Sequence, residues 1–138
     1  MGAFTELNIA VNLKADKDTY DILKYMLGEI DVCGKLPDYE LFKTSRWRYM
    51  LCSDSFYFAH TASSSLVNKM PYRDDHEERI LNVRCDLKNY DDEIKKFLDW
   101  IYTLSDTRGF IGYMRYEEDK NPTLIYFTYT GIEYKEVD

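Results

Sequence analysis

Residues 4–13 read FTELNIAVNL, and within them Leu7, Ile9, Val11 and Leu13 alternate with Asn8, Ala10 and Asn12. Period two places one set on each side of an extended chain and predicts a half-buried strand. Ile22, Leu23, Met26 and Leu27 then recur at helical spacing. Asp16 or Asp18 can cap that helix by accepting from its first free N–H groups, and Gly28 stands where it should stop. Gly34 and Pro37 mark residues 28–45 as a connection. Arg46–Cys52 (RWRYMLC) and Ser55–Ala59 (SFYFA) are aromatic runs broken by Ser53-Asp54, which predicts a hairpin. Residues 60–79, with Ser63-Ser64-Ser65, Pro71 and the charged run RDDHEER, read as a surface loop.

Alternation returns in 80–87, with Leu81, Val83, Cys85 and Leu87 on one side. Asn89 or Asp91 can cap the next element, where Ile94, Phe97, Leu98, Ile101 and Leu104 form the apolar stripe of an amphipathic helix. Asp91, Asp92 and Glu93 load its first turn with acid, which suits the helix dipole, and Gly109 is its expected stop. Phe110–Glu117 and Thr123–Thr130 are further strand runs joined by a turn at 118–122.

The order is thus strand, helix, strand, strand, then the same again. Asn8–Lys14 sits against Asn82–Lys88 with matching residues, Tyr49-Met50 against Tyr113-Met114, and Tyr57-Phe58 against Tyr126-Phe127. The expected fold class is α+β, one domain over 1–138. Two βαββ repeats (about 4–59 and 80–130, joined by loop 60–79) would form one antiparallel sheet with both helices packed on one face. The other face would be partly open to water or a ligand.

This order resembles the duplicated strand–helix–strand–strand modules of GyrI-like effector-binding domains. The resemblance implies a groove between the halves that takes small apolar or cationic molecules. The strings FTELNIAVNLK, DILKYMLGE, RWRYML and GYMRYEE resemble small uncharacterised proteins carried by bacteria and their phages, which implies a bacterial or phage origin.

Charge narrows the partners. With 25 acidic and 18 basic residues the net charge is −7. No Lys/Arg cluster is present to neutralise phosphates, so direct nucleic-acid binding is not expected. The apolar runs are too short for a membrane span. Cys33, Cys52 and Cys85 form no C-x-x-C pair, and nothing reads as a signal peptide, so a cytoplasmic location is the default.

Candidate chemistry is sparse. The chain lacks G-x-S-x-G, a Walker G-x-x-x-x-G-K-[ST], G-x-G-x-x-G and H-E-x-x-H. A Cys–His pair from Cys52 or Cys85 with His60, a general base at His60 or His76, and a cation held by Asp74–Glu78 can each be drawn. The better reading of Asp74–Glu78 is a solvated loop, because adjacent residues seldom converge on one ion without a shaped turn. No enzyme activity and no cofactor is expected.

The aromatic content is the unusual feature: Tyr occurs 13 times. Strand packing explains most of it. It does not explain aromatics on both sides of one strand, as at Tyr126/Phe127. Tyr offers a rigid apolar ring with a polar tip and is enriched at contact surfaces. The candidate binding residues are therefore Trp47, Tyr49, Tyr57, Tyr113 and Tyr126. Arg46 and Arg48 join them as an anion clamp, though the better reading of the pair alone is the solvent side of a strand. The expected function is a non-catalytic binding protein using an aromatic-lined open sheet face or groove for a protein partner or small-molecule ligand. Homodimerisation through a sheet edge is compatible with it. The alternative is a phage-encoded acidic inhibitor of a host nucleic-acid enzyme or defence system.

Overall fold

The computed structural model describes residues 3–68 and 78–137. The first alternating run forms β1 (Thr5–Lys14), where Leu7, Ile9, Val11 and Leu13 are buried. Asp16 caps α1 (Lys17–Met26), its carboxylate accepting the Thr19 N–H at 2.9 Å. That helix buries Tyr20, Ile22, Leu23 and Met26. Two 3₁₀ turns follow, at Glu40–Lys43 and Trp47–Cys52. The chain then forms the short β2 (Ser65–Val67) and the long β3 (Glu78–Leu87). Next come α2 (Glu93–Leu104), β4 (Gly109–Tyr116), β5 (Thr123–Thr128) and β6 (Gly131–Glu136).

All six strands share one antiparallel sheet in the order β2-β3-β1-β4-β5-β6. β1 and β3 pair along their whole length, from Thr5 with Leu87 to Lys14 with Glu78. Their core-facing residues join the buried stripes of α1 and α2 and of both 3₁₀ turns in one apolar cluster. The helices therefore cover one face, as expected for an α+β chain. The other face carries Glu6, Asn8 and Ala10 of β1 beside Asp86, Arg84 and Asn82 of β3.

Residues 46–52 and 55–59 do not pair as a hairpin. Trp47, Met50 and Leu51 are all buried, and their spacing fits a helical turn rather than a strand. The half at 4–59 thus has no strand after α1 where a βαββ module needs two, and the repeat is not reproduced at the level of elements. Gly109 does not stop α2. The helix ends at Leu104, where Ser105 takes over by donating its hydroxyl to the Asn12 carbonyl at 2.7 Å, and Gly109 opens β4. Asn89 rather than Asp91 serves the α2 start, its Oδ1 accepting the Ile94 N–H at 2.9 Å. β6 extends the sheet beyond the last expected strand. The predicted loop at 60–79 contains β2, while Pro71 and Asp74–Glu77, including His76, lie outside the described residues.

Candidate binding site

The Trp47–Cys52 turn decides where the candidate residues go. A 3₁₀ turn brings residues three apart onto one side, so Trp47 and Met50 face the core together. The Trp47 ring is 5.0 Å from Phe42 and 5.9 Å from Tyr25, and only 6% of the residue is exposed. Trp47 is therefore a core residue rather than a surface contact. Arg46, Arg48 and Tyr49 remain outside.

Arg46 and Tyr49 line a pocket of about 240 Å³ with Phe4, Met50, Leu87 and Lys88. Asp54, Ser53 and Glu93 complete its wall, and Glu93 turns one carboxylate oxygen to the Asp91 N–H at 2.9 Å. Phe4 just precedes β1, Leu87 ends β3, and the two strands run antiparallel, so both sit at one end of the sheet. The Tyr57 ring packs on Phe4 at 5.5 Å, and the Lys88 ammonium lies 6.0 Å from both the Phe4 and Tyr90 rings. Arg48 and the other side of Tyr49 line a second pocket of about 260 Å³ with Tyr25, Ile30 and Cys52. Tyr49 is thus the wall between two depressions.

Tyr113 and Tyr126 belong elsewhere. They stand on the polar face of the sheet, on β4 and β5, with the Tyr126 ring 5.5 Å from Phe110. The structure brings Arg46 and Tyr49 together at the pocket, sets Tyr57 against its Phe4 wall and Arg48 next to it, sends Trp47 inward and leaves Tyr113 and Tyr126 apart. Phe4 and Lys88 give no candidate signal because they flank strands, and Leu87 reads from its alternation as core alone.

A second cluster is likewise not legible in the sequence. After Ser53 the chain passes the end of β3, with the Ser53 carbonyl accepting the Asp86 N–H at 3.0 Å, and crosses the polar face of the sheet. Phe58 and the His60 side chain are buried there. His60 Nε2 lies 3.3 Å from Glu6 Oε2 and 3.7 Å from Asp86 Oδ2, and Arg115 Nε donates to Glu6 Oε1 at 2.9 Å. The Arg115 guanidinium also sits 5.1 Å from the Phe58 ring. Asp86 is wholly buried, and neither of its carboxylate oxygens has a hydrogen bond of good geometry, though Ser55 lies against it. Burial pushes its carboxyl above the usual carboxylate range, with Ser55 and His60 opposing that shift. The arrangement is a charged latch that holds residues 54–61 across β1, β3 and β4.

The thiols are poorly placed for nucleophilic work. Cys85 faces the core while His60 lies on the opposite side of the sheet, and burial pushes the Cys85 thiol up. Cys52 donates its Sγ–H to the Met26 carbonyl at 3.6 Å, and its thiol is raised by burial as well. Activated cysteines need the opposite shift. Among the described residues no group of His, Cys, Asp and Glu is arranged to hold a metal ion, and no helix is long and apolar enough to cross a membrane. No protein-family model, curated protein or solved structure matches the chain.

Proposed function

We propose that the chain is a binding protein that takes a partner at the end of the sheet where β1 begins and β3 finishes. One observation carries this reading. Tyr49, Tyr57 and Tyr90 are 65%, 61% and 61% exposed around a pocket whose apolar wall is Phe4, Met50 and Leu87 and whose cations are Arg46 and Lys88. Large rings left in water forgo roughly 25 cal/mol for every Å² of apolar surface that burial would remove. Clustered around a concavity, they supply the rigid anchors that contact surfaces favour.

Size and charge narrow the occupant. Drug-sized ligands fill pockets of about 300 Å³ and more, so a pocket of about 240 Å³ suits one inserted side chain or a small molecule. The Asp54 and Glu93 carboxylates in the same wall each already accept a backbone N–H, from Ala62 at 3.1 Å and Asp91 at 2.9 Å, so Arg46 and Lys88 are the groups an incoming carboxylate would meet. A protein side chain with an acidic neighbour fits best. The acidic-inhibitor reading has less local support, because its contact surface would need to be dominated by carboxylates, whereas this wall sets two cations beside two carboxylates.

The test compares the immobilised chain with a Tyr49→Ser/Lys88→Ala variant of equal melting temperature. Both are exposed to lysate of bacterial cells and analysed by native mass spectrometry. A defined species held by the parent and lost from the variant supports the reading and identifies the partner. Species held equally by both would refute it.

A further inference from the structure

β6 ends the sheet and pairs only with β5 among the described residues. Its outer side is a row of main-chain groups, and the register says which residues supply them. The Asn12 N–H donates to Thr107 Oγ1 and the Phe4 carbonyl accepts the Glu117 N–H, so the even-numbered residues of β1 turn their main chain toward β4. Glu6 and Asn8 therefore share their bonds with Arg115 and Tyr113. Gly112 and Met114 turn instead to β5, where they meet Ile125 and Thr123. Leu124 and Tyr126 then turn to β6 and meet Lys135 and Glu133. Ile132, Tyr134 and Glu136 are left with their N–H and C=O groups pointing out of the sheet.

Exposed edges template pairing with another chain unless they are short, bulged, broken by proline or guarded by charges, Lys above all, that the incoming strand does not complement. The opposite edge is blunted in this way, since β2 is three residues long. β6 has no proline, and its pairing with β5 has no bulge. We infer that this edge is an interface between two copies of the chain, paired antiparallel about a two-fold axis through Tyr134. Charge complementarity selects that register. Pairing centred on Glu133 would oppose two glutamates, and pairing centred on Lys135 would oppose two lysines. Centred on Tyr134, Glu133 of each copy lies opposite the partner's Lys135, and symmetry repeats the match. The same register lets Tyr134 exchange both main-chain hydrogen bonds with its counterpart, and Ile132 with the partner's Glu136. Glu133 and Lys135 are exposed, and among the described residues neither has an ion-pair partner.

Sedimentation velocity over a concentration series reaching about 1 mM tests the inference in the full chain. The parent should show a concentration-dependent dimer. Glu133→Lys and Lys135→Glu should each weaken it about tenfold or more, because each sets like charges opposite one another twice. The double exchange Glu133→Lys/Lys135→Glu should restore it. Glu136→Pro removes an outward donor without touching the β5 pairing and should also weaken it. Thermal melts confirm that each variant remains folded. A chain that stays monomeric throughout overturns the inference. So does a dimer indifferent to the single exchanges, or a double exchange as weak as either single one.

Discussion

His60 Nε2 lies 3.3 Å from Glu6 Oε2, and this contact ties residues 54–61 to the middle of the sheet. Removing the ring leaves Asp86 buried beside Glu6 without the imidazole that faces both carboxylates. His60→Ala should cost about 1–3 kcal/mol. It should also raise amide exchange through 54–61 while β1 and β3 stay protected. Unchanged exchange in that segment would show that the latch does not hold it.

Asp86 gives the latch a pH signature. Its folded-state carboxyl titrates above the unfolded value because burial disfavours the charge. The folded chain therefore binds that proton more readily than the unfolded one. Ionised Asp86 costs stability above its folded pKa, and the cost fades as pH falls through that pKa toward the ordinary 3.8. Asp86→Asn removes the charge. It should raise Tm by about 4 °C near pH 8, well above the range in which the carboxyl takes up its proton. The gain should shrink as the pH approaches about 4. A gain that grows on acidification would contradict the assignment.

Gly112 lies in a bulged stretch of β4 at φ +149°, and a Cβ there would collide with the Asn8 carbonyl oxygen. The obstacle is paired backbone, which cannot swing aside as a side chain can. Gly112→Ala is expected to cost about 3 kcal/mol or more, with β1 and β4 forced apart. Denaturant unfolding measures it, and a loss below about 1 kcal/mol would mean that the strands shift freely there.

Trp47 and Tyr49 are two residues apart and should behave oppositely. Trp47→Ala empties a core position and should cost about 3–5 kcal/mol. Tyr49→Ala changes an exposed ring and should alter stability by no more than about 0.5 kcal/mol. Chemical denaturation of the pair separates core from surface, and equal losses would place Tyr49 in the core as well.

Much of the fold was readable in advance. β1, β3 and α2 repeat one apolar period over many residues, and each long repeat admits one burial direction. Asp16 and Asn89 were legible as caps because their chemistry acts within a few residues. The Trp47–Cys52 turn is not legible because its aromatic content argues for a strand, while Trp47, Met50 and Leu51 carry a helical spacing too short to outweigh it. The Ile132/Tyr134 alternation of β6 was present but brief.

Local pattern alone settled the α+β class, the main strands, both helices and the absence of familiar catalytic motifs. The tertiary structure decided the rest, because those contacts join residues far apart in the chain. Arg46, Tyr49 and Lys88 meet only because the 3₁₀ turn packs against the end of β3. His60 meets Glu6 and Asp86 only because residues after Ser53 cross the sheet. Periodicity reports which way a side chain points, and it is silent on which distant residue waits there.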